Sequence, residues 1–348
     1  VYRDIHTLYF YPRIINLLKG IMKYSDIKQS IVAQFNTTNS VVPYIEGAPG
    51  GGKSALAKEI GKELGFEKVE MFFASLRDPV DLLGTPNNDG EVTTWKPPEE
   101  FYKLQTGRNL LILEELSDAV TPMQNALCGL MLERKCGRVH LSPQTHIIAT
   151  GNRTKDKSGA NRIVSKLRGR VRTFEYVENI DDWSEWALMN DIDPVLIQFL
   201  RFRPDLLSSF DPDKICPTPR NWERVNMIPA DLPTDIYFGN VAGDVGEGAA
   251  AEYTGFRKIW ENLPNVDAIL MNPSKSEVPK DPAVLYALTG ALAHRTSKDN
   301  FDRVAEYVDK MTPEFQVMCV SDAMKLKPEI KTTKAFVNWA VKNSNVMI

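Results

Sequence analysis

Residues 47–54 read Gly47-Ala48-Pro49-Gly50-Gly51-Gly52-Lys53-Ser54, a glycine-rich loop with the spacing G-x-x-x-x-G-K-S. The loop lies between an apolar run at residues 41–45 and a helix-forming stretch at residues 55–64. Strand, loop and helix in that order are what a nucleotide phosphate site requires. Glycines let backbone N–H groups turn inward around phosphates, and the following helix adds its positive N-terminal end. Lys53 then reaches the β- and γ-phosphates as a point charge, and the Ser54 hydroxyl ligates the magnesium ion that bridges them. Ala55, the next residue into the helix, is counted with the loop as nucleotide-binding. A merely flexible turn has no need of a lysine and a serine at these two positions.

The order of elements around the loop predicts the fold class. Ile15, Leu18, Ile21, Met22, Ile27, Ile31 and Val32 recur at helical intervals, so residues 14–35 read as one or two helices. Residues 69–73 read as a strand. Residues 86–98 are rich in proline, asparagine and glycine, and Asn88-Asp89-Gly90 marks a tight turn, which fits a hairpin or projecting loop. Residues 110–113 and 146–150 are short continuous apolar runs of the kind found in buried parallel strands. Between them Thr121 to Glu133 reads as a helix with Met123, Ala126, Leu127, Leu130 and Met131 on one face, and residues 172–177 are the next strand. The expected α/β core is a twisted parallel sheet flanked by helices over about residues 30–180. From Asp181 onward helices alternate with proline-containing turns, which suggests a helical second domain, and Trp183, Trp186 and Leu188 read as packing residues there.

At 348 residues the chain has room for two or three domains. A formal net charge of −3 supplies no overall basic field to hold nucleic acid. A basic run of Lys155, Lys157, Arg162, Lys166, Arg168, Arg170 and Arg172 is the local exception, either solvated surface or a set of anion contacts. Cys128, Cys136, Cys216 and Cys319 form no C-x-x-C pair, and the expectation is reduced thiols in a cytoplasmic protein. His6, His140, His146 and His294 show no H-x-x-x-H pair and read as ordinary polar residues. No stretch approaches the roughly 18–20 continuous apolar residues of a membrane span, so no membrane partner is expected. The apolar start at residues 8–12 is broken by Pro12 and lacks a basic leader, unlike a signal peptide.

A phosphate loop needs a second half that coordinates metal and activates water. Glu114-Glu115, ending the strand at residues 110–113, fits that need. Glu114 faces the hydrated magnesium ion, and Glu115 orients and polarises the attacking water. Strands of this kind usually end in Asp-Glu, and the extra methylene of Glu114 suits a contact through water. Asn152, at the tip of the strand at residues 146–150, is placed to hydrogen-bond the γ-phosphate or the lytic water.

These residues resemble the MoxR-type ATPases of the AAA+ superfamily. The resemblance rests on the phosphate loop, on residues 110–116 with Gln124-Asn125-Ala126-Leu127 after them, and on Ile148-Ala149-Thr150-Gly151-Asn152. It continues through Leu167-Arg168-Gly169-Arg170-Val171, Asp182-Trp183-Ser184-Glu185-Trp186-Ala187 and Pro217-Thr218-Pro219-Arg220-Asn221-Trp222. It covers most of the chain to about residue 230 and the rest more loosely, where residues 243–250 look like those of MoxR-like proteins in bacterial and phage genomes. The resemblance implies an AAA+ P-loop NTPase core with N-terminal helices at residues 1–180, a helical lid at 181–235 and a helical C-terminal extension at 236–348. It implies ATP and Mg2+ as cofactors and a ring, usually a hexamer, with each nucleotide held between neighbouring subunits. By similarity Arg170 is the arginine finger inserted into the next subunit's site, with Arg168 its close rival, and a finger of this kind is worth roughly 10³–10⁵ in rate. Arg220 resembles a second sensor on the lid that contacts nucleotide in its own subunit. Insertions at residues 77–98 and a hairpin at 134–142 match the family's ring-face loops, and Trp95 is a candidate contact or a packing residue.

The leading expectation is a chaperone-like ATPase that remodels or matures a protein partner. The resemblance implies a separate polypeptide with a von Willebrand factor A-type domain as that partner. The alternatives are a nucleic-acid motor or loader built on the same engine, and a nucleotide-gated scaffold with little turnover.

Overall fold

The computed structural model describes residues 21–156 and 161–343. Its contacts divide the chain into two compact units, one reaching Glu178 and taking in Phe210–Pro212, the other Asn179–Ser209 and the chain from Asp213.

Among its described residues the first unit holds ten strands: β1 (Ile21–Met22), β2 (Val42–Gly47), β3 (Lys68–Phe73), β4 (Thr85–Asn87), β5 (Thr94–Lys96), β6 (Asn109–Glu114), β7 (Lys135–Cys136), β8 (Val139–His140), β9 (His146–Asn152) and β10 (Val171–Tyr176). Its α-helices are α1 (Tyr24–Phe35), α2 (Lys53–Glu63), α3 (Pro79–Leu83), α4 (Glu99–Tyr102), α5 (Thr121–Glu133) and α6 (Ser165–Arg168). Six strands form one parallel sheet in the order β1-β10-β2-β9-β6-β3.

Burial on both faces explains the continuous apolar runs. In β6, Leu111 and Leu113 pack with Met123 and Leu127 of α5. Leu110 and Ile112 point to the opposite face and pack with Leu56 and Ile60 of α2. β9 follows the same alternation in register, Leu111 opposite Ile147 and Ile112 opposite Ile148. The twisted parallel α/β sheet flanked by helices that the sequence leads one to expect is the fold observed, with a helical C-terminal region after it.

One expected element changes type. Ile21 and Met22 fit the helical periodicity of residues 14–35, yet they are extended and pair in parallel with Glu175 and Tyr176 of β10. The edge of β10 offers open backbone groups, and pairing with them outweighs local periodicity. Helix α1 begins only at Tyr24. Residues 14–20 lie outside the described residues.

The segment at residues 86–98 forms an antiparallel hairpin, β4 with β5, in which Pro86 faces Trp95. Gly84 at its base has φ +84°, and a Cβ there would lie 2.0 Å from the Lys96 carbonyl oxygen. Trp95 is half-buried. A second hairpin, β7 with β8, follows α5.

The second unit is helical: α7 (Ile180–Met189), α8 (Pro194–Phe202), α9 (Pro219–Val225), α10 (Thr234–Val245), α11 (Glu247–Glu261), α12 (Val266–Met271), α13 (Pro282–Arg295), α14 (Phe301–Val308), α15 (Pro313–Leu326) and α16 (Lys334–Lys342). One core runs from Trp183 to Ala287 and so continues past residue 235, with Trp222 against Phe199 and Tyr253. Trp183 is 8% exposed and packs in that core. Another core joins α12 to α16. Among the described residues no helix is long and apolar enough to cross a membrane. The four cysteines are all buried, and among the described residues none forms a disulfide.

Candidate functional site

Strand order brings three chain ends together. β9 lies between β2 and β6, with Gly47 opposite Asn152 and Leu113 opposite Ala149. The phosphate loop, Asn152 and the Glu114-Glu115 pair therefore share the carboxyl edge of a parallel sheet, where ligands of open α/β sheets bind.

Within the loop, Gly50 has φ +74° and Gly52, the N-cap residue just before α2, has φ +98°. These are left-handed conformations that glycine adopts without a steric penalty. Tyr176 of β10 donates a hydrogen bond from its hydroxyl to Gly51 O at 2.8 Å. The Glu178 carboxyl presses on the same residue, so closely that a Cβ on Gly51 would lie 1.9 Å from Glu178 Oε1. Burial pushes the Glu178 carboxyl above its usual range, against the pull of Arg153 and Lys53.

Lys53 is 8% exposed, and its Nζ donates to Gly47 O at 3.1 Å, Ala48 O at 2.7 Å and Asn152 Oδ1 at 3.0 Å. One residue on, Ser54 Oγ donates to Glu114 Oε2 at 2.8 Å, and Thr150 Oγ1 donates to the same oxygen at 2.5 Å. Glu114 is 3% exposed, and its Oε1 has no hydrogen-bond partner among the described residues. A hydroxyl beside a buried carboxylate that keeps one acceptor oxygen suits a hard cation that retains its waters, which is the chemistry of Mg2+. The loop's glycines and Lys53 suit the phosphates of ATP in the same way.

Consecutive residues of a strand point to opposite faces. Glu115 escapes that rule because β6 ends at Glu114 and Glu115 has φ +56°. The turn ties Glu115 to two neighbouring segments: Glu115 N donates to Thr150 Oγ1 at 3.3 Å, and Ser75 Oγ donates to Glu115 Oε2. A left-handed non-glycine residue costs roughly 1–2 kcal/mol, and strain of this kind gathers at functional sites.

Asn152 is held on three sides. Its backbone N donates to Ser117 Oγ at 2.8 Å, its Nδ2 donates to Asp118 Oδ2 at 2.7 Å, and its Oδ1 accepts from Lys53. Burial raises the Asp118 carboxyl above the usual carboxylate range. The Asn152 hydrogen bond opposes that rise and the Glu115 charge adds to it.

The structure thus gathers Lys53, Ser54, Glu114, Glu115 and Asn152 in one region. Arg168 is exposed at the end of α6, whereas Arg170 is half-buried, donates from Nη1 to Lys166 O at 2.6 Å and has a buried Nε. Arg220 belongs to the second unit, where it is exposed in the first turn of α9 behind Pro219. The basic run is partly spoken for: Lys155 pairs with Glu175 at 2.7 Å and Arg172 donates to Gln34 Oε1 at 2.8 Å. Lys157 lies outside the described residues. Sequence reasoning missed Ser75, Ser117, Asp118, Thr150, Tyr176 and Glu178. Only Thr150 carried a signal, as a polar residue two positions before Asn152 and so on the same strand face.

No family model and no curated protein matches the sequence. Among solved structures, RuvB of Thermotoga maritima, described as a Holliday junction branch migration motor, is 15% identical over 77% of this chain and 81% of that one, with a TM-score of 0.38. NtrX of Brucella abortus in complex with ADP is 15% identical over 93% of this chain and 68% of that one, with a TM-score of 0.40.

Proposed function

We propose that the chain is a magnesium-dependent ATPase of the AAA+ superfamily, of MoxR type, which works as a ring of its own copies and remodels or matures a protein partner. The observation that carries the ATPase reading is the joined set Lys53–Asn152 and Ser54–Glu114–Thr150–Glu115 at the ends of three adjacent parallel strands. ATP with Mg2+ supplies the phosphoanhydride whose γ-phosphoryl group passes to water.

In this reading the loop N–H groups and Lys53 bind the phosphates. Ser54 and Glu114 hold the hydrated ion, Glu114 through water. Glu115 orients the attacking water and accepts its proton, and Asn152 hydrogen-bonds the γ-phosphate. An arginine from the neighbouring subunit completes the site. Arg170 or Arg168 fills that role, and the exposure of Arg168 favours it, since the Arg170 guanidinium is engaged with Lys166 O. Arg220 is the second sensor, on a lid whose packing continues beyond residue 235. The partner is a protein with a von Willebrand factor A-type domain. The Lys155–Glu175 ion pair and the Arg172–Gln34 hydrogen bond engage two members of the basic run within the protein, which weighs against a nucleic-acid track there.

The test is phosphate release by the wild type, Lys53→Ala and Glu115→Gln, with sedimentation in ATP. Turnover should fall to background in both variants, while Glu115→Gln keeps ATP, sediments as a ring and retains the partner in a pull-down. Equal background rates in all three would leave a nucleotide-gated scaffold and overturn the enzyme reading. A wild-type chain that stays monomeric in ATP would overturn the trans arginine.

A further inference from the structure

Asp118 lies three residues beyond Glu115, in the turn that leaves β6, and its backbone N donates to Glu115 O at 2.9 Å. Its Oδ2 accepts from Asn152 Nδ2 at 2.7 Å, and its Oδ1 accepts from Ser117 Oγ at 3.3 Å. Ser117 Oγ in turn accepts from Asn152 N at 2.8 Å. Across the amide, Asn152 Oδ1 accepts from Lys53 Nζ at 3.0 Å.

An asparagine amide offers two orientations of nearly identical shape, one end donating and the other accepting. An ionised carboxylate only accepts and an ammonium only donates. Clamped between Asp118 and Lys53, the Asn152 amide has one allowed orientation, because the flipped form sets NH2 against NH3+ and the carbonyl oxygen against the carboxylate. The Asp118 bond is charge-assisted, the stronger kind. It also uses only one of the two Nδ2 hydrogens and leaves the second for a phosphate oxygen. Once Lys53 serves the phosphates, Asp118 is what still distinguishes the two ends of the amide.

We propose that Asp118 is a positioning residue of the γ-phosphate sensor, fixing the orientation in which Asn152 donates from Nδ2 to the terminal phosphate. This rests on the ATPase reading above. Asp118 touches neither the phosphate nor the water in this role and acts through Asn152.

The experiment pairs two readouts on Asp118→Ala, Asp118→Asn and Asn152→Ala. One is steady-state phosphate release. The other is the ratio of ATP to ADP affinity, measured with fluorescent nucleotides in a Glu115→Gln background where turnover does not intervene. Asp118→Ala should lower kcat by about 10-fold or more and bring the ATP/ADP ratio down to that of Asn152→Ala, with ADP affinity within about twofold of the parent chain. Asp118→Asn keeps an acceptor oxygen and should recover part of both. Adding Asp118→Ala to Asn152→Ala should lower neither readout further, since residues acting as one unit are not additive.

Unchanged kcat and an unchanged ratio in Asp118→Ala, beside an active wild type, would overturn the proposal. Equal loss of ATP and ADP affinity with a lowered melting temperature would overturn it in favour of a purely structural role. A wild type that binds ATP without turnover would overturn the ATPase reading, and the affinity ratio would still decide the role of Asp118. A chain that binds neither nucleotide overturns both.

Discussion

Glu178 shows what a single carboxyl does to a phosphate loop. It is packed on Gly51, and its Oε1 has no hydrogen-bond partner among the described residues. Burial raises its pKa above the ordinary value of 4.5, with Arg153 and Lys53 opposing and Asp156 adding to the rise. The folded chain therefore holds this proton more tightly than the unfolded chain, and stability falls as pH rises from about the unfolded value through the raised folded one. Glu178→Gln should accordingly raise the melting temperature at pH 7.5. That gain should disappear below about pH 4, where both states of the wild type are protonated. Thermal melts of the two chains across this range check the sign, and a constant difference at all pH values would show that packing, not ionisation, is responsible. No sequence pattern pointed to this residue, because its neighbour Gly51 is brought to it by the fold.

At the scale of elements, β9 carries more than packing. Its Thr150 hydroxyl donates to Glu114 and accepts from the backbone of Glu115, so one side chain registers both acids against the strand beside them. Valine has nearly the same shape and lacks the hydroxyl. Leaving buried polar groups unpaired costs about 1–3 kcal/mol, and each 1.36 kcal/mol in a barrier is a factor of 10. Thr150→Val should lower phosphate release by about 10-fold or more while ATP still binds. Retained turnover would show that the acids hold themselves in place. The buried runs of β6 and β9 were legible because parallel strands covered on both faces must be continuously apolar. β1 was not, because only the distant edge of β10 makes Ile21 and Met22 extended. Ser75 and Ser117 were invisible for the same reason: nothing local marks a serine whose partner lies in a distant segment of the chain.

Across the whole molecule, the second unit contains a charge pair that bridges two of its helices. Arg201 of α8 and Asp322 of α15 form a bidentate pair, with Nη2 to Oδ1 at 2.9 Å, and Asp322 is 2% exposed. Asp322→Ala leaves the guanidinium without its counter-ion and should cost about 3–5 kcal/mol, read by urea denaturation. Tryptophan emission follows that transition well, since Trp183, Trp186, Trp222, Trp260 and Trp339 lie in the second unit and only Trp95 in the first. A shift well under 1 kcal/mol would show that packing alone holds α8 to α15. The sequence marks this unit as helical through its prolines and apolar spacing, and the order of its apolar runs sets the phosphate loop, the two acids and Asn152 at strand ends of one sheet.

Glu115 keeps φ +56°, a conformation in which glycine is more comfortable. A glycine at this position would relax the backbone and remove the carboxylate that the proposed chemistry uses. Random change at this codon is thus rewarded by folding and punished by function. A copy of this chain that had lost its task would drift there towards greater thermal resistance, so an unusually robust relative with glycine after Glu114 would be the mark of an engine no longer used.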